Sequence, residues 1–290
     1  KSTTLEAAAS VWGKPTGERG FKKLWRATSN GLELLCSSRN HNALILDELK
    51  QVDPREAGNA AYTISNGSAK ERMSRDATAR PTATWSTILL SAGELDLAQH
   101  MQEAGKTAHG GQHVRLPSIP ADAGAGLGVF ESIHDCDSPK AFADRIKDAA
   151  SRYYGTAGDA FLTALSDPDN LKQVRDSIQG NLEAISKTFN IPDTAAQEVG
   201  RVATRFALAA YAGELATRYR VTGWKPKEAI HAAQRCFAEW LAEHGGEIGA
   251  DDRALFAQVR GFIEAYGSSR FPPHNADPEN LQRYSNRAGF

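Results

Sequence analysis

The sequence predicts an α/β core built on a parallel sheet, followed by an all-helical half. Three observations carry that expectation. Ala43-Leu44-Ile45-Leu46 is an apolar run that ends abruptly in Asp47-Glu48, the pattern of a buried parallel strand with acids at its carboxyl end. Thr87-Ile88-Leu89-Leu90-Ser91 is a second such run ending in a small polar residue. Between and before these runs the periodicity is helical, and beyond residue 137 it is helical throughout.

In chain order, residues 2–12 read as a helix, with Leu5, Ala8, Ala9 and Trp12 at helical spacing and Gly13 to end it. Pro15, Gly17 and Gly20 mark a loop, and Leu24–Thr28 reads as a short strand. Ser29 or Asn30 caps a helix to about Arg39, with Leu32, Leu35 and Cys36 on one face. After the strand 43–46, Pro54 and Glu56 open a helix carrying Ala57, Ala60, Ala61 and Ile64, which Asn66-Gly67 breaks. Trp85 reads as a core anchor for the strand that follows. Residues 105–128 are rich in glycine and proline and read as loop, with Val114-Arg115-Leu116 a candidate strand.

Ser138-Pro139 is a cap followed by proline at the first helical position. Helical patterns follow at about 139–153, 156–166, 169–189, 193–219, 226–243 and 251–266. Trp224, Phe237, Trp240, Phe256 and Phe262 fall at helical spacing and read as core. Residues 267–278 look like a linker. The expected organisation is therefore 1–137 as the α/β core, 138–266 as a helical lid, and 267–290 as a linker with the start of a further domain.

A hydrophobic content of 41% with 24% charged residues is that of a globular protein in water, and no apolar run approaches a membrane span. The net charge of −1 leaves no global basic signal, so any nucleic-acid contact must come from a local patch. Cys36, Cys136 and Cys236 are isolated, which fits a reducing cytoplasm. His109 and His113 are separated by a Gly-Gly pair and read as loop residues rather than metal ligands.

Lys1-Ser2-Thr3 at the head of the first helix has the form of the end of a phosphate loop, G-x-x-x-x-G-K-[ST]. Lys1 would lie against the β and γ phosphates, and Ser2 would give its hydroxyl to Mg²⁺, a hard cation that prefers oxygen. Asp47 would hold the magnesium through water, and Glu48 would act as general base on the attacking water. Taken alone, the two acids equally describe a strand ending at a solvated turn. Ser91 stands where a polar sensor of the γ phosphate would sit, or else caps a helix beginning near Glu94.

Lys70, Arg72, Arg75 and Arg80 lie in the most cationic stretch of the front half. A solvated loop, arginine fingers reaching a neighbouring subunit's ATP, and a hairpin along a nucleic-acid backbone all fit it. Arg201 and Arg205 are spaced i, i+4 on a helix whose other face carries Val199, Val202, Phe206, Ala209, Gly213 and Ala216. They are either surface charge or, in the case of Arg205, a lid arginine closing on the nucleotide.

With these residues laid out, the chain resembles the phage- and plasmid-borne P-loop ATPases of the domain of unknown function 927 family, often described as helicases. The matching stretches include Trp25–Leu32, His41–Leu49, Gln51–Gly58, Leu90–Glu94, Val114–Leu116, Ile119–Asp122, Ala210–Leu215 and Thr222–Trp224. The resemblance implies a RecA-like or AAA+-like core using ATP and Mg²⁺, and it carries Lys1, Ser2, Asp47 and Glu48 into the nucleotide site. It further implies a primase module as partner; the expected activity is that of a DNA-dependent ATPase of replicative-helicase type on single-stranded or forked DNA, and an in-trans arginine coupling neighbouring subunits predicts a homo-oligomeric ring. One departure stands out: the family's first strand and glycine loop are missing before Lys1, so this piece is expected to bind ATP poorly. Two other readings remain open, an ATP-driven switch acting on protein partners and a degenerate docking module.

Overall fold

In a computed structural model, residues 1–71, 81–106, 114–244, 246 and 249–271 are described. Three parallel strands lie in the order β1-β2-β3: β1 Lys22–Leu24, β2 Ala43–Asp47 and β3 Ile88–Ser91. The register pairs Leu24 with Asp47 and Leu46 with Ser91, which aligns the carboxyl ends of all three strands. Helix α1 (Ser2–Trp12) precedes β1. Helix α2 (Ser29–Ser38) connects β1 to β2, and α3 (Pro54–Asn66) connects β2 to β3.

The period-2 alternation of β2 sorts its side chains onto two layers. Leu44 and Leu46 pack with Trp25, Leu32, Cys36, Leu49, Ile64 and Trp85 on the α2–α3 side. Ile45 packs with Leu5 and Ala9 of α1 on the other. Trp85 is buried and its indole Nε1–H donates to Ile64 O at 2.9 Å, which makes it the anchor the sequence suggested. On β3, by contrast, Ile88 is 62% and Leu90 39% exposed.

A short helix, α4 (Leu97–Gln102), packs on α3 through Leu97, Met101, Ala57 and Ala61. From residue 139 the described structure is helical: α5 Pro139–Arg152, α6 Thr156–Ser166, α7 Pro168–Lys187, α8 Gln197–Arg218, α9 Glu228–His244 and α10 Ala250–Arg270. Two devices join the halves. Helix α1 packs on α5 and α6, where the Gly155 N–H donates to Ser10 O at 2.8 Å. A Cβ on Gly158 would stand 2.6 Å from Val11 O, so only glycine allows that approach. The second device is the turn at Val114–Leu116: Val114 sits among Val199, Val202, Phe237 and Trp240, while Leu116 packs against the α3–α4 cluster.

Several local expectations are corrected. The first strand is Lys22–Leu24 rather than 24–28, because Trp25 turns off the edge into the core. Thr28, not Ser29 or Asn30, caps α2 by accepting from the Gly31 N–H at 3.2 Å. Asp96, not Ser91, caps the helix after β3, in a reciprocal box with Gln99. Val114–Leu116 is a turn, its alternating pattern serving two cores instead of a sheet. Helix α10 runs through Arg270 and so covers the first part of the expected linker. Trp224 is 51% and Phe256 65% exposed, whereas Phe237 and Trp240 are core. Ala209 is exposed, and the buried face of α8 is Val199, Val202, Ala203, Ala207, Ala210, Tyr211 and Leu215.

Candidate active site

The carboxyl edge of the sheet gathers Lys1, Asp47, Glu48 and Ser91. Asp47 ends the central strand with its side chain on the α1 layer, and it is buried. Its Oδ2 accepts from the Lys22 ammonium at 3.0 Å and its Oδ1 from the Glu48 N–H at 3.1 Å. Lys22 also donates to Glu6 Oε1 of α1 at 2.9 Å, so one cation bridges two carboxylates. Burial alone would lower the Lys22 pKa, but the bonds to Glu6 and Asp47 outweigh it and hold the group above the ordinary lysine value.

Glu48 leaves the strand in the left-handed region, φ 61 and ψ 66, with its side chain exposed. A non-glycine residue there is strained, and such strain is typical of functional turns. The turn is fixed from both sides: the Leu49 N–H donates to Ala92 O at 3.3 Å and the Ala92 N–H to Leu46 O at 3.3 Å. Ser91 ends the neighbouring strand, where its Oγ accepts the Trp25 indole N–H at 2.8 Å. The hydroxyl hydrogen stays available for a second partner.

Lys1 reaches the same edge, since its Nζ donates to Gly93 O at 2.9 Å. Helix α1 begins at Ser2 with no side chain capping it, which leaves its first N–H groups for an anion. Thr3, the next residue of α1, is buried. The oxygens of Ser2 and Asp47 have the hard chemistry a magnesium ion requires. An ionised carboxylate offers about four lone-pair sites, so Asp47 keeps capacity for a metal-bound water beyond its bonds to Lys22 and Glu48. Among the described residues no group of three or more His, Cys, Asp or Glu could hold a metal ion by itself.

Residues 1–84 match the family model for a domain of unknown function, DUF927. The DUF927 match thus spans Lys1, Ser2, Lys22, Asp47 and Glu48 but not Ser91 or the helical half. A search of curated proteins gave no match. Among solved structures, the chain is similar to an "SCCmec type IV Cch - active helicase" with a TM-score of 0.66 at 20% identity. That likeness covers 95% of this chain and 46% of the helicase chain, so this chain spans just under half of the protein it resembles. At that identity the similarity establishes a shared fold.

Of the remaining candidates, Lys70 and Arg205 are described and lie elsewhere. Lys70 is exposed, with its Nζ donating to Ser29 Oγ at 3.3 Å. Arg72, Arg75, Arg80, His109 and His113 lie outside the described residues. Arg205 belongs to α8, where its guanidinium donates to Val114 O. Sequence reasoning missed Lys22, Glu6 and Trp25 as parts of the site. The signal for Lys22 was faint: a lysine three residues before a buried tryptophan, paired across strands with Ile45. No helix among the described residues is long and apolar enough to cross a membrane.

Proposed function

We propose that this chain is the ATP-hydrolysing part of a DNA-dependent ATPase of replicative-helicase type from a mobile element. One observation carries the reading: Lys1, Asp47-Glu48 and Ser91 meet at the carboxyl edge of a parallel sheet, beside an uncapped helix start. That edge is where open α/β sheets bind ligands. The resemblance to DUF927 and the fold shared with a helicase support the same conclusion.

In this reading the first N–H groups of α1 and the Lys1 ammonium bind the phosphates. Ser2 and Asp47 would hold Mg²⁺, the latter through water, and the ion would supply neutralisation of charge on the phosphate oxygens. Glu48 accepts a proton from the attacking water, its carboxylate held forward by the left-handed turn. Ser91, steadied by Trp25, would hydrogen-bond the γ phosphate. Lys22 orients Asp47 through their ion pair.

The assembly belongs to the same proposal. A basic side chain from the stretch Lys70–Arg80 would complete a neighbour's site in a head-to-tail ring, and a primase module would act on the same DNA. The test is ATP turnover, with and without single-stranded DNA, in a form that includes the glycine loop. Stimulation by DNA supports the motor, indifference points to a protein-directed switch, and absence of turnover points to a docking module.

A further inference from the structure

Away from the carboxyl edge, three arginines converge where the turn at Val114–Leu116 meets α8. Arg201, Thr204, Arg205 and Leu208 of α8, with Leu182 of α7, line a groove of about 360 Å³. The Arg205 guanidinium is fixed there, because one of its N–H groups donates to the carbonyl of Val114, whose own side chain is locked in the helical core. Arg115, the next residue, lies over the Tyr62 ring at 4.6 Å. Burial, then the charges of Arg115 and Arg201, hold the Arg205 pKa below the ordinary arginine value. No carboxylate pairs with Arg201 or Arg205 among the described residues. Three like charges are thus gathered beside an apolar groove with no counter-charge paired to two of them.

We propose that this groove holds a backbone phosphate of a single-stranded nucleic acid. Guanidinium forks match phosphate oxygens in two-point hydrogen bonds, and Arg201 is exposed and free to make one. Leu182 and Leu208 provide an apolar wall for the sugar or base attached to that phosphate, which a small anion would leave unused. Helices α7 and α8 make their main contacts with α6, α9 and each other, so the groove is a separate place from the edge that carries Asp47. The turn that fixes Arg205 also bridges the α3–α4 cluster and the helical core, so a strand bound there would load the contact between the two halves. The choice of nucleic acid over another polyanion rests on the ATPase reading given above.

The test uses this chain and a fluorescently labelled oligo(dT), with binding followed by anisotropy in the absence of ATP between about 50 and 200 mM salt. Arg201→Ala should lower the slope of log affinity against log salt by about 0.7, the increment of one phosphate contact on a single strand. Arg201→Lys should keep the slope and lose part of the affinity, since it retains the charge and not the fork. Thermal unfolding of both variants should match the parent, because Arg201 is on the surface. An unchanged slope in Arg201→Ala overturns the proposal, as does failure of the parent chain to bind oligo(dT) at low salt. A loss of affinity for a fluorescent ATP analogue with the DNA slope unchanged also overturns it, and assigns Arg205 and Arg201 to a nucleotide phosphate instead. DNA binding is read without ATP and turnover without reference to Arg201, so failure of either reading leaves the other measurable.

Discussion

The Lys22 ammonium lies 3.0 Å from Asp47 Oδ2 and 2.9 Å from Glu6 Oε1, joining the central strand to α1 through one buried cation. All three side chains are at most 16% exposed. A pair so placed adds little over an apolar substitute, but removing one partner strands the others without compensation.

Lys22→Met should therefore destabilise the fold by about 3 kcal/mol, read as a shift in the urea midpoint at unchanged slope. Because the folded Lys22 pKa lies above its ordinary value of 10.5, its contribution is fully present below that pH. It is lost as pH rises through the higher folded value. The parent should lose stability on alkaline titration in that window, and the Lys22→Met variant should lack that component.

Trp25 is 1% exposed and its indole N–H has Ser91 as acceptor. Ser91→Ala leaves that donor buried and unpaired, at a cost of about 1–3 kcal/mol by chemical unfolding. If Ser91 also hydrogen-bonds the γ phosphate, Ser91→Ala should lower turnover, and Trp25→Phe with Ser91 intact should retain more of it. Equal turnover in both variants would reduce Ser91 to a packing role.

Much of this architecture was legible in the sequence because local pattern and global fold agree. Ala43–Asp47 reads as a strand and is one, since its alternation feeds two helical layers at once. The helices of the second half are placed within a few residues for the same reason, with a capping signal at Ser138. What the sequence concealed is side-chain partnership across distance. Lys22 and Glu6 are ordinary charges until the sheet brings them to Asp47. Val114–Leu116 has the alternation of a strand, yet its neighbours are two separate cores, a fact that no local window contains. Trp224 and Phe256 were expected in the core, but Trp224 lies half-exposed in the loop before α9, beside Gly213, and Phe256 is exposed on α10.

The Glu48 backbone offers a separate test, since φ 61 costs a non-glycine residue about 1–2 kcal/mol. Glu48→Gly should raise stability, by about 1 kcal/mol, while removing the proposed base. A variant that is more stable and less active would identify the turn as strain kept for function. Destabilisation would show that the carboxylate, not the backbone, holds this turn.

Cys36 is fully buried, and burial pushes its thiol up to about 11. At pH 8 it should resist a thiol reagent in the folded protein and react only on unfolding, whereas Cys136, on a partly exposed turn, should react at once. Mass spectrometry of the labelled cysteines checks both. Rapid labelling of Cys36 would mean that α2 does not stay docked on the sheet.

The central claim, that the acid-tipped strand is a hydrolytic site, is tested most directly by Glu48→Gln in a form carrying the glycine loop. Steady-state ATP turnover and nucleotide binding should be measured on the same preparation. The account predicts a fall in turnover of about 10²- to 10⁴-fold, the contribution of a positioned general base, with nucleotide binding retained. Turnover equal to that of the parent would contradict it and leave Glu48 as an exposed residue at a strand end.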